Sequence, residues 1–148
     1  MRKLILLAVV LGACAPKEAA TPDSVATVAP APAALTAEMT AGTWNGVSMG
    51  EASDSVTARW TTTQVSDTEG SVKFEGSTEA IPFTRTFDAD SMIVTSAPYA
   101  PPENPKGAKV TFRSVGRLVD GKLVGTSTIM LADRPDSVVS RGRWEATR

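Results

Sequence analysis

The chain has no histidine and one cysteine, Cys14. Without histidine it lacks the commonest general base and the commonest nitrogen ligand for metals. A lone thiol cannot close an intramolecular disulfide, and zinc sites of the Cys/His type are excluded. The fold must therefore hold through a hydrophobic core, without covalent staples. No Gly-x-Ser-x-Gly or Ser-x-x-Lys arrangement occurs, so the usual serine nucleophile motifs are missing. Asp88 and Asp90 form one of the few close carboxylate pairs, but they stand in a turn-like stretch where solvation is the usual role. We expect no enzyme, no cofactor and no metal. There is no basic run and no interleaving of aromatics with lysines, which argues against nucleic acid.

Long apolar runs are also missing, with one exception at the start. Arg2 and Lys3 precede the apolar stretch Leu4 to Leu11, and Leu11-Gly12-Ala13-Cys14 follows. Eight apolar residues fall far short of the roughly 20 that cross a bilayer. The pattern reads as a secretory signal over residues 1–13. With cysteine directly after Leu-Gly-Ala, it resembles a bacterial lipobox. The resemblance implies cleavage before Cys14, a diacylglycerol on its thiol and a fatty acyl group such as palmitate on the new N-terminus. The expected product is a lipid-anchored lipoprotein of the cell envelope. Two or more acyl chains anchor stably where one does not. Ala15 rather than aspartate follows the cysteine, which by the same resemblance favours the outer membrane, facing the periplasm or the cell surface. Without Arg2 and Lys3 the balance is 13 basic to 16 acidic residues, a net charge of about −3.

Residues 14–41 are rich in Ala, Pro, Thr and Val and read as a disordered tether. As a random coil, Ala15 to Ala41 would span about 30 Å. Leu35 to Met39 has the makings of one helical turn. From Gly42 to Arg148 the texture changes. Short runs rich in Thr, Val, Ile and aromatics alternate with Gly, Asp, Ser and Pro clusters. Strands are expected over Thr43–Met49, Ser55–Val65, Ser71–Glu75, Ile81–Phe87, Met92–Ser96, Lys109–Val119, Lys122–Leu131 and Val138–Thr147. Val119-Asp120-Gly121-Lys122 is the clearest hairpin, since Asp-Gly suits a two-residue type I′ turn. Eight strands with short connections favour an all-β antiparallel meander closed into a barrel, which removes exposed edges. A β-sandwich is the alternative.

Gly42-Thr43-Trp44 opens the first strand, and Arg141-Gly142-Arg143-Trp144 lies in the last. The arrangement resembles the lipocalin and calycin barrels. That resemblance implies that Trp44 closes one barrel end and that a basic residue, Arg141 or Arg143, covers its indole. Trp144 to Arg148 is also faintly similar to a late strand of avidins.

Alternation places Val56, Ala58, Trp60, Thr62 and Gln64 on one face, Val72 and Phe74 on another, and Val110, Phe112, Ser114, Gly116 and Leu118 on a third. Hydroxyls and glycines among aromatics leave room for a ligand cavity or fit a tapering, filled barrel. Arg85 shares its face with Ile81, Phe83 and Phe87. If buried it needs an anionic ligand or an internal carboxylate; otherwise a bulge turns it outward or it snorkels at the barrel end. The proline-rich stretch Ala97 to Gly107 presents Tyr99 as a possible contact residue. The sites to locate are therefore Arg85, Trp60, Phe83, Phe112 and Ser114 inside, Trp44 with Arg141 and Arg143 at the closure, and Tyr99 on the loop. Function is read as a tethered, non-catalytic barrel that binds an apolar ligand or an envelope protein. A structural lipoprotein with a filled core is the other reading.

Overall fold

The computed structural model describes residues 34–101 and 107–148. Cys14, the signal segment and most of the Ala/Pro-rich stretch lie outside the described residues. Eight strands follow one another as β1 (Thr43–Gly50), β2 (Val56–Gln64), β3 (Glu69–Phe74), β4 (Ile81–Asp88), β5 (Ser91–Ser96), β6 (Val110–Val119), β7 (Lys122–Leu131) and β8 (Arg134–Thr147). Each pairs antiparallel with the next, and β8 returns to β1, so the sheet is a closed barrel and not a sandwich. Strand boundaries agree with the sequence pattern to within two residues, except that β8 starts at Arg134 rather than Val138. The extra length comes from the β7–β8 hairpin, which shifts register twice between Ile129 and Leu131. Bulges of this kind absorb extra residues while pairing continues.

Turn chemistry matches the sequence. Asp120 and Gly121 have φ of 50° and 78°, the double left-handed pair that a type I′ hairpin needs. Ala89 supplies a third such position, φ 51°, in the two-residue β4–β5 turn.

The interior is built by pairing glycines with large rings. A Cβ on Gly46 would lie 2.3 Å from the Trp60 ring, and one on Gly116 would lie 2.4 Å from Trp144. Phe83 occupies the same relation to Gly70. Each ring thus lies over glycine of the neighbouring strand: Gly46 and Gly70 are the register partners of Trp60 and Phe83, and Trp144 covers Gly125 and, one strand farther, Gly116. Trp60 and Trp144 meet edge to face with centroids 6.0 Å apart. Around them Val72, Ile81, Phe83, Met92, Val94, Leu123 and Ala146 complete the core.

The packed body begins before Gly42. Leu35 is 5% exposed and Thr40 fully buried, although both fall in the stretch read as tether. Residues 37–40 form a turn, with Thr40 N–H donating to the Ala37 carbonyl (3.2 Å). Leu35 N–H donates to the Ala89 carbonyl (2.9 Å). The segment therefore lies against the barrel end where β1 starts and the β4–β5 turn sits. At the other end β1 stops at Gly50, opposite Gly142, while β8 runs on through residues 134–141 paired only to β7.

Candidate functional site

The two ends of the barrel differ in kind. The end carrying residues 35–41 is sealed by hydrogen bonds around Thr40. The Trp44 Nε1–H donates to the Thr40 carbonyl (3.1 Å). The Arg85 guanidinium donates through Nη1 to Thr40 Oγ1 (2.7 Å), through Nη2 to the Ser66 carbonyl (3.2 Å) and through Nε to the Asp67 carbonyl (2.9 Å). Arg85 is 2% exposed and stands over the Phe87 ring, 5.3 Å from its centroid. Burial pushes the guanidinium below its ordinary pKa, and the nearby Asp67 carboxylate pulls it partly back.

Arg85 is therefore interior and not turned outward, and among the described residues no carboxylate comes within ion-pair distance of it, Asp67 acting from farther away. Backbone carbonyls and one hydroxyl take its protons, a solution in which partial charges replace a counter-ion. It does not line the cavity described below.

The cation over Trp44 is not the one expected. Arg148, one residue beyond β8, lies 4.7 Å from the Trp44 ring centroid. It also donates to the Met39 carbonyl (2.8 Å). Arg141 and Arg143 are a half-turn of pleat away: their register partners Thr128 and Thr126 lie on the outer face. Arg143 pairs there with Asp54 (2.8 Å). The Gly-x-Trp pattern pointed to the right indole but to the wrong arginines. Among the described residues, Arg148 is the cation placed over Trp44. The left-handed φ of Gly42, 92°, turns the chain from the sealing segment into β1.

Inside this seal the barrel encloses a cavity of about 810 Å³ that runs from Trp44 and Gln64 toward the opposite end. Its walls include Trp60, Phe74, Phe83, Phe112, Ser114 and Trp144. Of the residues singled out from the sequence, Trp60, Phe83, Phe112 and Ser114 are thus brought together around one space. Ser114 is 8% exposed. Trp60 turns its Nε1–H to Ser48 Oγ (2.9 Å), which fixes the indole against Gly46. The lining reaches Met49, Pro101, Val139 and Ser140, all at the end where β1 stops and β8 runs on. Val139 is 56% exposed there.

Tyr99 is not an exposed loop tip. Its backbone makes an isolated bridge with Val110, and its ring stacks on Phe74 (6.1 Å) and meets Phe112 edge to face (6.2 Å). It belongs to the cavity wall. The sequence could not show this, because the prolines flanking Tyr99 read as a free connection, whereas two hydrogen bonds to Val110 fold the start of the loop onto the sheet.

A second, more open hollow of about 600 Å³ lies on the outer face of β1–β3, between Arg59, Lys73 and Glu75. Charged, solvated side chains line it, so the interior cavity is the stronger candidate. Among the described residues no group of three His, Cys, Asp or Glu is placed to hold a metal. Comparison with protein-family models, with curated proteins and with solved structures finds no match.

Proposed function

We propose that this protein is a lipid-anchored envelope lipoprotein whose barrel binds an apolar or amphiphilic small molecule without transforming it. One observation carries the reading: a cavity of about 810 Å³ with mainly aromatic and aliphatic walls, open at one barrel end and sealed at the other. Its volume falls within the roughly 300–1,000 Å³ of small-molecule sites. Its polar lining is mainly hydroxyls and one amide, with Arg59, Glu75, Arg141 and Arg143 reaching it as well, and the predominance of apolar wall favours holding a molecule over reacting with it. The resemblance of Leu11-Gly12-Ala13-Cys14 to a lipobox supports the anchor.

Native mass spectrometry of the full-length protein, extracted from its own membrane in mild detergent, tests both parts. The expected spectrum shows a polypeptide starting at Cys14 with added acyl mass, and a further non-covalent adduct released on activation. A mass equal to the lipidated polypeptide alone would favour a filled structural barrel. An unmodified thiol would remove the anchor.

A further inference from the structure

Gln64 ends β2 on its inward face, at the sealed side of the cavity it helps line. Its Oε1 is buried and has no hydrogen-bond partner, the one such side-chain atom found among the described residues. A buried amide oxygen left unpaired is costly, and in native proteins it usually marks a missing water or ligand group. Thr62, two residues earlier on the same face, adds a hydroxyl to the same wall. The only buried charge among the described residues is Arg85. Its protons are already directed to Thr40, Ser66 and Asp67, and it does not line the cavity. The arginines that do reach the cavity, Arg59, Arg141 and Arg143, stand toward its open end, so an anionic head group placed at the depth of Gln64 would be desolvated with no cation beside it.

Resting on the reading of the cavity as a ligand site, we propose that its inner end receives the uncharged, hydrogen-bonding head of a long-chain amphiphile, with the tail toward the mouth. A hydroxyl fits best, because it both donates and accepts. Rotation of the Gln64 amide about its last bond offers it either the oxygen or the NH₂ group. The aromatic walls formed by Trp60, Phe74 and Phe112 then surround the tail, and the exposed rim at Val139 meets its far end. The chemical class is that of neutral lipids with a terminal hydroxyl or amide, as opposed to free fatty acids.

The test uses the full chain in detergent and the neutral fluorescent dye N-phenyl-1-naphthylamine, displaced by three ligands of equal length: 1-hexadecanol, hexadecanoate and 1-chlorohexadecane. At pH 8 hexadecanol is expected to compete about fivefold or more better than 1-chlorohexadecane, the worth of one buried hydrogen bond. It is also expected to compete better than hexadecanoate, by a margin that narrows as the acid is protonated in acidic buffer. In Gln64→Leu, with competition referred to that variant's own dye affinity, hexadecanol and 1-chlorohexadecane should compete equally. The melting temperature of Gln64→Leu should be unchanged or raised, since no protein hydrogen bond is lost. Three results would overturn the inference: hexadecanoate binding tightest at pH 8, an alcohol preference that survives Gln64→Leu, or a marked fall in that variant's melting temperature. Failure of the dye and all three ligands to bind would instead remove the underlying cavity reading, and the inference with it.

Discussion

Thr40 shows how one small side chain can hold a barrel end. Its carbonyl accepts the Trp44 indole N–H, and its hydroxyl accepts from Arg85 while lying 3.2 Å from the Thr36 and Ala37 carbonyls. Thr40→Val keeps the volume and removes the hydroxyl, leaving one guanidinium N–H of a buried cation without its best acceptor. We expect a loss of about 1–3 kcal/mol in urea denaturation. Arg85→Met removes the donors from the Ser66 and Asp67 carbonyls and should cost a similar amount. Neither change should alter dye affinity, because neither residue lines the cavity. A ligand-binding defect in a folded Arg85→Met protein would show that the guanidinium serves a ligand after all. Gly125→Ala belongs at the same scale. Its Cβ would sit 2.1 Å from the Val115 carbonyl oxygen, a backbone atom that cannot step aside. A destabilisation of about 3 kcal/mol, at the upper end of the overpacking range, is expected by thermal melting.

At the scale of elements, the sealing segment acts as a ninth piece of the barrel. Leu35 → Ala should cost about 2–3 kcal/mol, since a nearly buried leucine is lost from a site that can partly collapse. The same variant should speed hydrogen exchange of the Trp44 indole N–H, whose acceptor lies in this segment. Unchanged exchange would mean that the seal does not depend on Leu35. The strands themselves were legible because their alternation is strong: Val72 and Phe74, or Val110, Phe112 and Ser114, face inward as their spacing requires. Asp120-Gly121 marked its turn by its own conformational needs. The seal was not legible. Leu35 and Thr40 sit among alanines and prolines, and nothing local distinguishes a tether from a segment that returns to the barrel. Two of the site errors share that cause. Arg148 and Tyr99 find their places through contacts far away in sequence, with Met39 and Phe74, which no periodicity reports. Ser114 was read correctly as inward, but only the geometry showed the glycines that lie beneath the rings on neighbouring strands.

For the whole molecule, an interior cavity sealed at one end and open at the other is the claim on which function depends. Three tryptophans line it at different depths, Trp44 at the sealed end and Trp60 and Trp144 farther along the wall. A long-chain alcohol brominated along its tail quenches only the indoles it touches. The most direct measurement is therefore a titration of the full-length protein with brominated hexadecanol, followed by tryptophan emission, in the natural chain and in Phe112→Arg, which places an unpaired charge in the cavity. The account expects saturable quenching of part of the emission at one ligand per chain, lost in Phe112→Arg while the protein stays folded by circular dichroism. Quenching that never saturates, or that persists unchanged in Phe112→Arg, would contradict an interior binding site.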